Sequence, residues 1–79
     1  MKKNNKQIEK LILISLKKIN SRYEKFKKNI NLFEQGLDSL DFLNLLFTVE
    51  KKYMVKISSK DFAKVQSIEK MAKYIKKKL

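Results

Sequence analysis

The sequence predicts an all-α domain. Its 79 residues contain no proline and a single glycine, whereas lysine, leucine, isoleucine and glutamate are abundant. Apolar residues recur mainly at helical spacing rather than in strand-like alternation. A chain of this length makes one domain with a small core, so we expect residues 1–79 to form a single domain. Cysteine is absent, and disulfides are therefore excluded.

The first predicted helix runs from Asn5 to Tyr23, with lysines and an arginine on its polar face. Its apolar face carries Ile8, Leu11, Ile12, Ser15, Ile19 and Tyr23. The weaker pattern from Glu24 to Asp38 predicts a long loop, with room for a helical turn within residues 23–28. The expected loop anchors in the core are Phe26, Ile30, Leu32 and Phe33.

The second predicted helix spans Ser39 to Tyr53, with Asp38 as N-cap and Asp41 at the third helical position. Its predicted apolar stripe consists of Leu40, Leu43, Leu46, Phe47, Val49 and Tyr53. Phe42 and Leu45 fall outside this stripe. We therefore expect these two side chains to be exposed beside Ser39 as part of a partner surface, although scattered exposed apolar residues are also common.

Two further helices are predicted towards the C terminus. Ser58 and Asp61 have the spacing of a capping box at the start of a short helix. Ser67 is the predicted cap of the last helix, whose final turn is rich in lysine, as suits the helix dipole. The apolar face of that helix carries Ile68, Met71, Ala72, Ile75 and Leu79.

The net charge of +12 is unevenly distributed. Residues 29–50 carry four acidic and no basic side chains, whereas each flanking segment carries ten basic and two acidic ones. A nucleic-acid-binding domain is not expected to clear its cations from its best-defined segment, so we expect no nucleic-acid partner. The excess of lysine, asparagine and isoleucine is explained equally well by genome composition and by selection for a partner.

Histidine is absent as well as cysteine. The chain therefore lacks the usual general base, thiolate nucleophile and soft-metal ligands, which argues against an enzyme and against a metal site. The longest apolar run, residues 11–14, is far shorter than the roughly 20 residues of a membrane span. Lys2 and Lys3 do not precede an apolar stretch, so we expect no signal peptide and a cytoplasmic location.

Ser39 follows the only glycine, Gly36, and begins the strongly apolar second helix. A hydroxyl in the first turn of a helix is exposed and rigidly held, and the surrounding backbone N–H groups favour a phosphate. Asp-Ser-Leu is a common tripeptide, and by itself it indicates no more than a helix cap.

The region from Asn29 to Ile75 resembles the phosphopantetheine-dependent carriers, which hold acyl, peptidyl or D-alanyl cargo as a thioester. Leu32 to Asp41, with the sequence LFEQGLDSLD, resembles the carrier signature, in which an acidic residue and a glycine precede Asp-Ser-Leu. The family's later helices are matched by Val49 to Tyr53, Ile57, Ser67-Ile68 and Tyr74-Ile75. The resemblance implies a four-helix bundle with a long loop between helices 1 and 2 and a short helix 3.

This resemblance implies that Ser39 holds 4'-phosphopantetheine, derived from coenzyme A, through a phosphodiester. Asp38 would help a phosphopantetheinyl transferase recognise the site, and Leu40 would pack beside the arm. The chain would be a monomeric carrier that delivers acyl or aminoacyl cargo to enzymes of fatty-acid or specialised biosynthesis. The expected contacts with these partners are Asp41, Phe42, Asn44 and Leu45.

Two departures from the family pattern bear on partners and cargo. Asn44, Lys51 and Lys52 make the second helix less acidic than in many acyl carriers, which favours a specialised partner with an acidic surface. Phe62 and Met71 stand where smaller residues are frequent in fatty-acid carriers. They either narrow the acyl groove, which favours a short or polar cargo, or are accommodated by a different packing of the core.

Two other functions remain open at this point. A basic helical domain would bind nucleic acid or an anionic membrane through Lys17, Lys18, Arg22, Lys27, Lys28 and the run Lys76-Lys77-Lys78. A carrier-like fold that has lost its modification would instead act as a structural subunit. Loading of Ser39 from coenzyme A is expected of the carrier but of neither alternative.

Overall fold

The computed structural model describes residues 4–79, and Lys2 and Lys3, on which the signal-peptide argument rests, lie outside the described residues. The described part is helical and contains no strand, which confirms the all-α prediction. In chain order the elements are α1 (Asn5–Ile19), a first 3-10 helix (Ser21–Lys25), α2 (Ser39–Tyr53), a second 3-10 helix (Ser59–Val65) and α3 (Ile68–Lys78). No helix within residues 4–79 combines the length and apolarity needed to cross a bilayer.

Helix α1 begins as its sequence dictates but ends four residues earlier than predicted. Asn4 and Gln7 cap each other reciprocally: the Asn4 side chain accepts from the Gln7 N–H at 2.8 Å, and the Gln7 side chain accepts from the Asn4 N–H at 3.2 Å. Asn20 is extended (φ −157°, ψ 126°) and breaks the helix. Its side chain then accepts from the Arg22 N–H at 3.1 Å and starts the first 3-10 helix, which contains Tyr23.

The core lies between α1 and the elements that surround it. Helix α1 packs against both α2 and α3, and the second 3-10 helix packs against α3. The second 3-10 helix thus takes the place of the expected short helix 3. The fully buried aliphatic side chains of α1 are Ile8, Ile12 and Leu16.

The buried face of α2 differs from the predicted one. It consists of Phe42, Leu45, Leu46 and Val49. The prediction that Phe42 and Leu45 are exposed is therefore wrong: they are 4% and 0% exposed, whereas Leu40 and Phe47 are 74% and 63% exposed. Both sets of residues fit the helical period, and packing decides between them. Phe42 packs against the rings of Phe33 and Phe62, at centroid distances of 4.9 and 5.8 Å.

The C-terminal third confirms one predicted cap and corrects the other. The Ser67 hydroxyl accepts from the Lys70 N–H at 3.1 Å and caps α3, whose predicted apolar face is buried except for the half-exposed Leu79. The Ser58 side chain does not cap the second 3-10 helix. The Asp61 carboxylate instead accepts a hydrogen bond from the Tyr74 hydroxyl at 2.7 Å, so the predicted capping box is replaced by a tertiary contact.

Candidate functional site

Ser39 is the first residue of α2, and its side chain is exposed. Asp38 precedes it in an extended conformation (φ −90°, ψ 169°), and one of its carboxylate oxygens accepts from the Asp41 N–H at 2.8 Å. Asp38 therefore is the N-cap that the sequence predicted. The first N–H groups of a helix have no intrahelical acceptor and form its positive end, so a phosphate on Ser39 would stand where negative charge is favoured.

A tight turn at Gly36 lies directly before the Asp38 cap. Gly36 has φ +103°, a conformation that favours glycine. Its N–H donates to the Phe33 carbonyl, and the Leu37 N–H donates to the Leu32 carbonyl, both at 3.1 Å. A Cβ at Gly36 would meet no atom within 4 Å, so the backbone angle rather than lack of space requires glycine. The turn buries Leu37 and leaves Asp38 and Ser39 at the surface.

Hydrogen bonds of the Gln35 side chain connect different parts of the long loop that precedes Ser39. The Gln35 side chain donates to the carbonyls of Lys27 and Ile30, both at 2.9 Å, and accepts from the Lys27 N–H at 2.7 Å. Among the predicted loop anchors, Leu32 is fully buried and Phe26 is half-buried, whereas Ile30 and Phe33 are each 37% exposed. Side-chain hydrogen bonds thus supply part of the fixation that was expected from apolar anchors. The sequence does not indicate this role of Gln35, because Lys27, its partner in two of the three hydrogen bonds, lies eight residues away.

A second contact fixes the first turn of α2 from the side. The Tyr23 hydroxyl donates to the Asp41 carboxylate, and the Arg22 guanidinium lies 5.1 Å from the centre of the Tyr23 ring. The hydrogen bond from Arg22 lowers the pKa of Tyr23, but the hydrogen bond to Asp41 and burial outweigh it and raise that pKa above its usual value. Arg22, which belongs to the basic segment before residue 29, therefore lies close to Asp41 in the acidic segment around Ser39.

The remaining predicted site residues fall into two groups. Asp41 is half-buried and engaged by Tyr23, and Asn44 is exposed on α2. Phe42 and Leu45 are core residues, so the structure removes them from the expected partner contacts. The apolar side chains that α2 does expose are Leu40, Leu43 and Phe47, here called the outer stripe. Its spacing of three and four residues places these side chains along one side of the helix, beginning next to Ser39.

Residues 23–75 match the family model of the phosphopantetheine attachment site. The chain belongs to the phosphopantetheine-binding carrier family. This carrier is 31% identical over 74 residues to the acyl carrier protein of Buchnera aphidicola subsp. Schizaphis graminum, across 92% of this chain and 90% of that protein. It is 28% identical to the acyl carrier protein of Buchnera aphidicola subsp. Acyrthosiphon pisum, across 99% and 95% of the two chains.

The fold of this carrier also matches a solved structure. It superimposes with a TM-score of 0.76 on the solution structure of a candidate acyl carrier protein from Anaplasma phagocytophilum, at 25% identity, across 90% of this chain and 86% of that one. The family resemblance inferred from the sequence is therefore confirmed. Carriers of this family hold 4'-phosphopantetheine and are not themselves enzymes. The comparisons do not favour the alternative of a nucleic-acid- or membrane-binding domain.

Proposed function

We propose that Ser39 is the attachment residue of 4'-phosphopantetheine and that this carrier presents acyl or aminoacyl thioesters on that arm to partner enzymes. One observation carries the proposal: Ser39 is an exposed hydroxyl at the first residue of α2, directly after the Asp38 cap. The bound arm supplies the thiol, and the chain itself supplies a rigid point of attachment.

The residues around Ser39 hold the attachment point rather than activate it. Asp38 caps α2 and offers its charge to a phosphopantetheinyl transferase. On that enzyme the Ser39 oxygen bonds to the pantetheine-linked phosphorus of coenzyme A, the phosphoanhydride bond breaks and adenosine 3',5'-bisphosphate leaves, while a base of the transferase takes the serine proton. Gly36 sets the turn before the cap, and the bond between Tyr23 and Asp41 restrains the first turn of α2. These contacts therefore hold the backbone that carries Ser39 in one conformation, which favours recognition by an enzyme.

The proposed contact surface for the transferase and for acyl-handling enzymes combines the outer stripe with Asp41 and Asn44. Leu40 and Phe47 are the two most exposed side chains of the stripe, at 74% and 63%. Exposed apolar groups bordered by polar ones are typical of transient interfaces. This surface replaces the one that the sequence placed on Phe42 and Leu45.

The cargo proposed here is short or polar. Met71 is fully buried, and Phe62 packs edge-on against Phe42, 5.8 Å from its ring centre. A long acyl chain that entered between these elements would have to displace packed side chains, which costs free energy. A cytoplasmic location and a monomeric state stay predictions from the sequence.

Loading from coenzyme A by a broad-specificity transferase, followed by intact-mass measurement, tests the attachment site. We expect one phosphopantetheine per chain, complete loss of loading in Ser39→Ala, and normal loading in Ser59→Ala. Ser59 is the matched control because it too is an exposed serine at the first position of a helix, but no side chain caps that helix. Loading of Ser39→Ala, or an unchanged wild-type mass with several transferases, would overturn the proposal.

A further inference from the structure

Two adjoining grooves lie between α1 and the C-terminal half of α2, away from Ser39. One has a volume of about 410 Å³ and the other about 290 Å³, and both are lined by Leu11, Ile14 and Lys52. Together, as the α1/α2 groove, they follow α1 from Gln7 to Lys18. At 1.5 Å per residue this is a length of about 17 Å, or roughly three helical turns.

The floor of the α1/α2 groove is apolar. Ile14 is 42% exposed, and Leu11 lies beside it. Three hydroxyls line the groove, and two of them are satisfied within their own helices: Ser15 donates to the Leu11 carbonyl at 2.9 Å, and Thr48 donates to the Asn44 carbonyl at 2.8 Å. The third, that of Tyr53, lies at one end of the groove and has no hydrogen-bond partner within residues 4–79. The floor therefore offers a partner mainly apolar surface.

The rim of the α1/α2 groove is cationic. It carries Lys10, Lys18, Lys51 and Lys52 and no acidic side chain. Within residues 4–79 the ion pairs are formed by other lysines, at positions 17, 28 and 64, so the four rim lysines are not neutralised by neighbouring carboxylates. Such a rim attracts a partner of opposite charge and orients it.

We propose that the α1/α2 groove docks an amphipathic helix of a partner protein, with the apolar side of that helix on Leu11 and Ile14 and with acidic residues against the rim lysines. A trough about three turns long between two helices accepts the row of side chains that a helix projects at positions i, i+3, i+4 and i+7. A bilayer surface fits less well, because the apolar floor lies between two helices rather than on a projecting face.

The position of the groove permits docking without obstruction of the attachment site. Thr48, the lining residue of α2 closest in sequence to Ser39, is nine residues away from it, or about 14 Å along the helix axis. A partner held in the α1/α2 groove therefore leaves the start of α2 accessible to an enzyme. The inference does not depend on Ser39 being modified.

The test uses amide chemical shifts of the 15N-labelled chain with three probes at low ionic strength. The first is a synthetic peptide of about four helical turns with leucine at helical spacing and glutamate on both flanks. The second has lysine in place of glutamate, and the third is a vesicle of phosphatidylglycerol and phosphatidylcholine. We expect shifts confined to the α1/α2 groove with the first peptide alone, and weaker binding as salt is added. Vesicle binding without peptide binding, or shifts spread over every lysine-rich face, would overturn the inference.

Two variants of equal net charge distinguish a specific role of the groove lysines from a general effect of positive charge. Lys18→Gln with Lys51→Gln should weaken binding of the acidic peptide about tenfold. Lys73→Gln with Lys77→Gln removes the same charge from a groove beside α3 and should leave the affinity unchanged. Equal losses in the two double variants would show nonspecific attraction and contradict the proposal. Ser39→Ala should bind the peptide normally, so failure here is distinguishable from failure of the attachment proposal.

Discussion

The hydroxyl of Tyr23 donates a hydrogen bond to the carboxylate of Asp41, 18 residues further along the chain. Tyr23 is buried in the first 3-10 helix, and Asp41 belongs to the first turn of α2, two residues after Ser39. The bond thus joins the two ends of the long loop next to Ser39, the proposed attachment residue. It explains how a loop with few buried apolar side chains can hold the start of α2 in place.

Tyr23→Phe should lower the free energy of unfolding by about 1–2 kcal/mol, because it removes a hydrogen bond to a charged, half-buried acceptor. Urea unfolding at neutral pH measures the change. Tyr53→Phe is the control: Tyr53 is half-buried, and its hydroxyl has no hydrogen-bond partner in the part of the chain that the structure describes. Equal effects of the two substitutions would contradict a specific role for the bond between Tyr23 and Asp41.

Leu45→Ala and Phe47→Ala should differ sharply although both residues are large, apolar and on α2. Leu45 is fully buried, and its truncation should cost about 2–5 kcal/mol through lost apolar contacts and a cavity. Phe47 is 63% exposed, and its truncation should change stability by less than about 0.5 kcal/mol. Thermal unfolding of the two variants decides. The opposite ranking would restore the apolar stripe expected from the sequence.

Asp38 can be tested separately as a cap and as a recognition residue. Asp38→Asn keeps a capping oxygen and should retain stability within a few tenths of a kcal/mol, whereas Asp38→Ala should lose about 1 kcal/mol. If the transferase reads the carboxylate, loading of Asp38→Asn should fall about tenfold or more despite its intact fold. Time-resolved intact-mass measurements report the rate. Loading that follows stability across both variants would reduce Asp38 to a cap.

The bond between Tyr74 and Asp61 predicts a pH-dependent contribution to stability. The Tyr74 hydroxyl, aided by Lys64, lowers the pKa of Asp61, and the same bond raises the pKa of Tyr74. The contribution is therefore full above the usual aspartate value of about 3.9 and is lost as the pH falls through the lower folded value. At the alkaline end it is lost as the pH rises above about 10, through the raised pKa of Tyr74.

Tyr74→Phe exposes this dependence. The difference in unfolding free energy between the wild type and Tyr74→Phe should be constant from about pH 5 to pH 9 and should shrink at both extremes. Urea unfolding across the pH range provides the measurement. A difference that persists unchanged at pH values well below the usual aspartate pKa would show that the Tyr74 hydroxyl stabilises the fold independently of the charge on Asp61.

Sequence alone determined the features that depend on neighbours within one or two helical turns. The bounds of α2, the caps at Asp38 and Ser67, and the position of Ser39 at the start of a helix all follow from local spacing. The carrier signature also lies within one short segment. For these reasons local sequence predicts both the fold class and the proposed attachment residue.

Tertiary structure decided what local spacing leaves ambiguous. Two stripes on α2 satisfy the helical period, and the packing of the helix in the core, which includes Phe42 against Phe33 and Phe62, selects the buried one. The bond from Tyr23 to Asp41 spans 18 residues of sequence and that from Tyr74 to Asp61 spans 13, so no periodicity indicates either. A helix fixes the relative directions of its own side chains, but its rotation about its axis is set by the surfaces that pack against it.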